Sequence, residues 1–171
     1  MTTWFDNAQA DYHCAVLLCK AAEENDVYLS GAGRATQQSI EKLLKAVIQQ
    51  KGQVIARKLV TNNISVLVKE CGRLGVEVPD ILAKMSKQIT DWYTEANYPG
   101  LGKYGTVEQI TVAIRQYEQL RDIFYALINA KAECLVHCPY FTSSVWGCSL
   151  KVTRHDKGCK YPIPKECCPK D

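Results

Sequence analysis

Apolar residues recur at helical spacing through most of the chain. Trp4, Ala8, Ala15, Leu18, Cys19 and Ala22 share one face and predict a first helix over about residues 4–24. Ser30-Gly31-Ala32-Gly33 reads as a break. A second helix then follows to about Lys51, with Ile40, Leu43, Leu44, Val47 and Ile48 inward and Gly52 as its stop. Asn62–Arg73 fits a short third helix, with Ile64, Leu67 and Val68 inward and Asn62 or Asn63 as cap. Pro79 suits the first turn of a fourth, over 79–97, whose apolar side is Ile81, Leu82, Met85, Ile89, Trp92 and Tyr93. Tyr98-Pro99-Gly100 ends it. A last helix runs from near Thr106 to about Cys134 along Val107, Ile110, Ile114, Tyr117, Leu120, Phe124, Leu127 and Ile128. Four long amphipathic helices and one short one, joined by modest connectors, predict an all-α, up-and-down antiparallel helical bundle.

The last forty residues differ. Of nine cysteines, three (Cys14, Cys19, Cys71) precede residue 132 and six follow it, together with His137, His155 and four of the six prolines. The expected organisation is therefore a bundle over 1–131 and an irregular, Cys-rich extension over 132–171. Tyr140–Leu150 leans toward strand, but its neighbouring prolines and glycines favour irregular structure.

Composition narrows the classes. Apolar residues make up 47% of 171, enough for a packed core. No apolar run reaches the ~18–20 residues that span a bilayer, so no membrane association is expected. MTTWFDNAQAD has no basic segment leading into an apolar one, so no secretory leader is expected either, and the setting is cytoplasmic. A net charge of +3 is too even for a dedicated electrostatic nucleic-acid binder.

In a cytosolic chain, clustered thiols favour metal over disulfides. The tail spacing is Cys134-x3-Cys138-x9-Cys148-x10-Cys159-x7-Cys167-Cys168. Four thiolates suit tetrahedral zinc or an iron–sulfur cluster. Cys138, Cys148, Cys159 and Cys167 are the preferred ligands, with Cys134 and Cys168 as alternates. Disulfides and free thiols are the competing readings. A small basic group, Lys151, Arg154, Lys157 and Lys160, could touch RNA but more simply forms a solvated loop.

On the second helix, Arg34, Gln38, Glu41, Lys42 and Lys45 fall opposite the apolar stripe. The plain reading is a solvated face supported by a Glu41–Lys45 pair. The functional one is a nucleotide or partner site, with Lys42 and Lys45 toward phosphate and Gln38 and Glu41 hydrogen-bonding across an interface. Arg121, at the edge of the last helix's stripe, calls for a carboxylate partner, or else a phosphate. Arg115 and His13 read as exposed, Trp4, Trp92 and Tyr93 as core, and the three early cysteines as buried small hydrophobes.

Trp4, Ala8 and Asp11, then Gln37-Gln38-Ser39-Ile40-Glu41-Lys42-Leu43-Leu44-Lys45-Ala46, then Asn97-Tyr98-Pro99-Gly100, occur in an order that resembles the HEPN domain family. The resemblance covers about residues 1–131. It implies a helical bundle that commonly forms homodimers, and a place for Tyr98 beside a nucleotide groove. Many members pair with a separate minimal nucleotidyltransferase in toxin–antitoxin-like systems, and many others are metal-independent ribonucleases. The ribonucleases carry Arg-x4-6-His on the last helix, so that arginine stabilises phosphate charge while histidine moves protons. Here the positions reached from Arg115 are Leu120, Arg121 and Asp122, and those from Arg121 are Ala126, Leu127 and Ile128. Lys131 and His137 form only an echo of the motif. Asn97 replaces the arginine that relatives carry before Tyr-Pro-Gly, and Arg57-Lys58-Leu59 stands where they often carry histidine. The expectation is a nucleotide-binding or regulatory module without catalysis of its own. The alternative is a divergent ribonuclease toxin using Arg115 or Arg121.

Overall fold

A computed structural model of the chain describes residues 3–55, 59–98 and 103–137, the stretch 131–137 by its backbone alone. Among the described residues five α-helices appear: α1 Trp4–Ala22, α2 Leu29–Gln50, α3 Ile64–Arg73, α4 Asp80–Asn97 and α5 Val107–His137. A 3-10 turn, Asp26–Tyr28, joins α1 to α2. No strand occurs among the described residues. Nor, among them, is any helix long and apolar enough to cross a membrane. The chain divides into two units, Met1–Phe124 and Tyr125–Asp171. The first contains the bundle; of the second, the rest of α5 is described, as a helix to His137.

Local chemistry sets the helix ends. Thr3 caps α1, accepting from the Asp6 amide at 3.1 Å while the Asp6 carboxylate accepts from the Thr3 amide at 2.8 Å. Asn63 caps α3 through the Val66 amide. Thr106 and Gln109 exchange the same reciprocal pair at α5. Gly52 and Gly75 take φ of +82° and +72°, the left-handed conformation that closes α2 and α3. At both ends two amides turn back to helix carbonyls: Gly52 to Gln49 and Gln53 to Ile48, then Gly75 to Gly72 and Val76 to Cys71.

The anticipated break at Ser30–Gly33 is not one. All four residues lie inside α2. Glycine costs a helix ~1 kcal/mol relative to alanine, but here the missing side chains let neighbours approach. A Cβ on Gly31 would sit 3.3 Å from a Leu18 methyl, and one on Gly33 3.4 Å from Trp92 Cβ. Tertiary contact outweighs local propensity.

α2 is the central element, with α1, α3 and α4 packed against it. The α1 face toward the core is built of small residues, Ala8, Ala15, Cys19 and Ala22, all buried. Along its flank Phe5 stacks on Phe124, with centroids 4.7 Å apart. Ile64, Leu67 and Cys71 bury α3, and Leu82, Ile89 and Trp92 bury α4. Hydroxyls stitch these two helices together: Thr90 Oγ1 accepts from the Ile64 amide, and Ser65 meets Ser86 at 2.8 Å. Ile110, Ala113, Tyr117, Leu120 and Phe124 form the buried stripe of α5. Some positions depart from the sequence pattern. Cys14 and Ile81 are exposed, Val68 is half-buried, and Trp4 and Tyr93 are also only half-buried.

Among the described residues Trp92 is the largest fully enclosed side chain, lying against glycines from two directions. A Cβ on Gly105 would come within 2.7–2.8 Å of the indole ring. Gly105→Ala must therefore displace the ring and should cost ~1–3 kcal/mol. Urea denaturation of the variant against the parent measures this; an unchanged midpoint would contradict the packing.

Candidate functional site

The polar row of α2 lies inside the bundle. Gln37, Glu41 and Lys45, one turn apart, are 0%, 4% and 3% exposed. Lys45 Nζ donates to Glu41 Oε1 at 2.6 Å. Gln37 Nε2 donates to Glu41 Oε2 at 3.0 Å, and Gln38 Nε2 to the same oxygen at 3.3 Å. Gln38 also donates to Gln37 Oε1, and Gln37 reaches the Asn62 carbonyl at 3.0 Å, ahead of α3. The Lys45 ammonium lies over the Trp4 ring, 4.9 Å from its centroid. Lys42 donates to Asp11 on α1, both partly exposed.

The anticipated solvated face is thus corrected. Periodicity separates apolar from polar rows, but α2 is enclosed on so many sides that its polar row is covered too. Of the residues singled out on α2, Gln38, Glu41 and Lys45 join one network, and Lys42 pairs with Asp11. Arg34 stays exposed, and Tyr98 ends α4 with 62% of its surface open. A phosphate reaching Lys42 or Lys45 would have to displace an internal carboxylate.

A second polar group lies between α1 and α5. Tyr12 stacks on Tyr117, 4.6 Å between centroids and 15° between planes. The Tyr12 hydroxyl donates to Glu118 Oε1 at 2.6 Å, and the Tyr117 hydroxyl to Gln9 Oε1 at 2.8 Å. The Glu118 bond, then burial, raises the Tyr12 phenol above its ordinary value near 10. The Arg121 guanidinium carbon is 5.6 Å from the Tyr12 centroid, and the His13 ring meets Tyr12 edge-on at 5.4 Å. The carboxylate expected for Arg121 is replaced by this aromatic partner: no ion pair within 4.0 Å includes it among the described residues. Arg115 is exposed. Sequence reasoning missed Gln9, Tyr12 and Glu118, because they fall beside rather than on the apolar stripes. The pairing of Tyr12 with Glu118, 106 residues apart, has no local signal.

Among the described residues, no three histidine, cysteine or acidic side chains are grouped to hold a metal. Cys138, Cys148, Cys159, Cys167 and Cys168 lie outside the described residues, as do the Cys134 side chain, the basic group Lys151–Lys160 and the Tyr140–Leu150 segment. Arg57, Lys58, Pro99 and Gly100 also lie outside them, and so do the side chains of Lys131 and His137. Burial pushes the Cys71 thiol up to about 12, which makes it a packing residue rather than a nucleophile.

The all-helical architecture of the described residues agrees with the helical bundle that the resemblance implies. The sequence model of the HEPN domain matches residues 1–127, and the chain belongs to that family. No curated protein and no solved structure matches the chain.

Removing one partner of a buried ion pair strands the other. Lys45→Met should therefore destabilise the bundle by ~3–5 kcal/mol. Glu41→Met/Lys45→Met should recover most of that loss. Denaturation of the single and double variants checks this, and a single variant as stable as the parent would mean that the pair is not buried.

Proposed function

We propose that this chain is a HEPN-type nucleotide-binding or regulatory module without catalysis of its own. Its place is in the cytoplasm, as a homodimer, acting as partner of a separate minimal nucleotidyltransferase in a toxin–antitoxin-like system. The observation that carries the reading is on α5. Arg115 and Arg121 lie on the helix that bears the ribonuclease motif in relatives, and neither has a histidine at the required spacing. A metal-free ribonuclease needs both a charge stabiliser and a proton carrier. Family membership supplies the prior for the nucleotidyltransferase partner and for the homodimer.

The protein, tagged in its own host and isolated under reducing conditions, should bring down a nucleotidyltransferase-like chain in stoichiometric amount. It should leave total RNA intact. Cleavage that survives EDTA and disappears in Arg115→Ala or Arg121→Ala would replace this reading with the ribonuclease toxin. Recovery of the bare homodimer would remove the two-component part.

For the tail, we propose a structural tetrahedral metal site formed from Cys138, Cys148, Cys159 and Cys167, with zinc preferred over an iron–sulfur cluster. Forty residues are too few to supply a sufficient core without a staple, and the thiol density supports one. Anaerobically purified protein should carry about one zinc per chain. Less than a tenth of an equivalent of any transition metal would refute the site.

A further inference from the structure

The α2 lysines are taken, Lys45 by Glu41 and Lys42 by Asp11, and Arg34 on the same helix is exposed. Arg121 is different. It is half-buried and belongs to no ion pair among the described residues. It rests over the Tyr12 ring, its guanidinium carbon 5.6 Å from the centroid. The Tyr12 hydroxyl gives its proton to Glu118, which holds that ring in place. The ring contact orients the guanidinium and occupies none of its five N–H donors. On the same ring, from the other helix, sits exposed His13. A guanidinium held against an aromatic ring with donors to spare, and an imidazole beside it, is the donor set that a phosphate takes.

We propose that Arg121 and His13, bracketing Tyr12 across α1 and α5, form the phosphate-binding site of this module's nucleotide ligand. The proposal rests on the nucleotide-binding reading above and moves the phosphate from the α2 lysines to the α1–α5 seam. Arg121 supplies paired donors to the phosphate oxygens and His13 a third. Tyr12 and Glu118 are positioning residues.

The full chain is titrated at low salt with two probes, a fluorescein-labelled oligouridylate followed by anisotropy and ATP followed calorimetrically. They separate an RNA phosphodiester from a free nucleotide. For whichever binds, Arg121→Gln should weaken affinity about tenfold or more, as for a lost charge-assisted contact. His13→Ala, at an exposed position that tolerates change, should weaken it about threefold. Lys87→Ala, an exposed α4 cation, should leave it unchanged. Far-ultraviolet circular dichroism confirms that each variant folds. Binding that survives both Arg121→Gln and His13→Ala would overturn the site while leaving nucleotide binding in place. An equal loss in Lys87→Ala would replace the site with diffuse charge. A parent chain that binds neither probe would remove the nucleotide-binding reading, and the site with it.

Discussion

Two charges removed from water must find each other, and the Glu41–Lys45 pair does so at the centre of the bundle. Burying an ion costs several kcal/mol unless its partner and further hydrogen bonds replace the lost water. Glu41 receives Lys45, Gln37 and Gln38; Lys45 adds the Trp4 face; Gln37 adds the Asn62 carbonyl. The network therefore joins three parts of the chain: α1 through Trp4, α2 itself, and the segment leading into α3. Apolar contacts tolerate small slides of one helix past another, but this network does not. A shift of one turn would take the Trp4 ring off Lys45 and the Asn62 carbonyl off Gln37, leaving the buried intrahelical pair with fewer partners.

The close approach that encloses the pair is made by small residues. Ala8 and Ala15 on α1, and Gly31 and Gly33 on α2, bring backbones together where larger side chains would hold them apart. Gly33 and Gly105 meet the same indole and fix where α4 and the start of α5 stand relative to α2. Enclosure of α2 and burial of its polar row are thus one constraint. Exposing the row would require opening the helix contacts that the small residues permit.

Much of this was legible before any coordinates. The five helices follow from period, and an end of α2, α3 and α5 from Gly52, Asn63 and Thr106, residues whose capping chemistry is local. Ser30–Gly33 was misread because a glycine pair has the same local signature whether it breaks a helix or admits a neighbour. The α2 row was misread for a related reason: a polar stripe has the same period whether water or another helix covers it. Cys14 was misread as buried although it lies off the stripe of its helix. The Tyr12–Glu118 contact was invisible because it joins residues far apart in sequence.

These facts explain why family membership was easier to read than ligand. The residues that carry the family pattern on α2, Gln37, Gln38, Glu41, Lys42 and Lys45, are engaged within the bundle, two of them across to α1. They mark the fold because they build it, and a pattern with a structural role of that kind carries little information about what is bound. Arg115 and Arg121 make the converse point. They are the same residue on the same helix, six positions apart, and their place on or beside the apolar stripe does not fix what each one meets. Their surroundings do: Arg115 is exposed, whereas Arg121 is half-buried and oriented by an aromatic ring from another helix. A side chain whose direction is fixed before a ligand arrives loses less freedom on binding than one that must be ordered by it. That difference in preorganisation, rather than charge, directs attention to the α1–α5 seam.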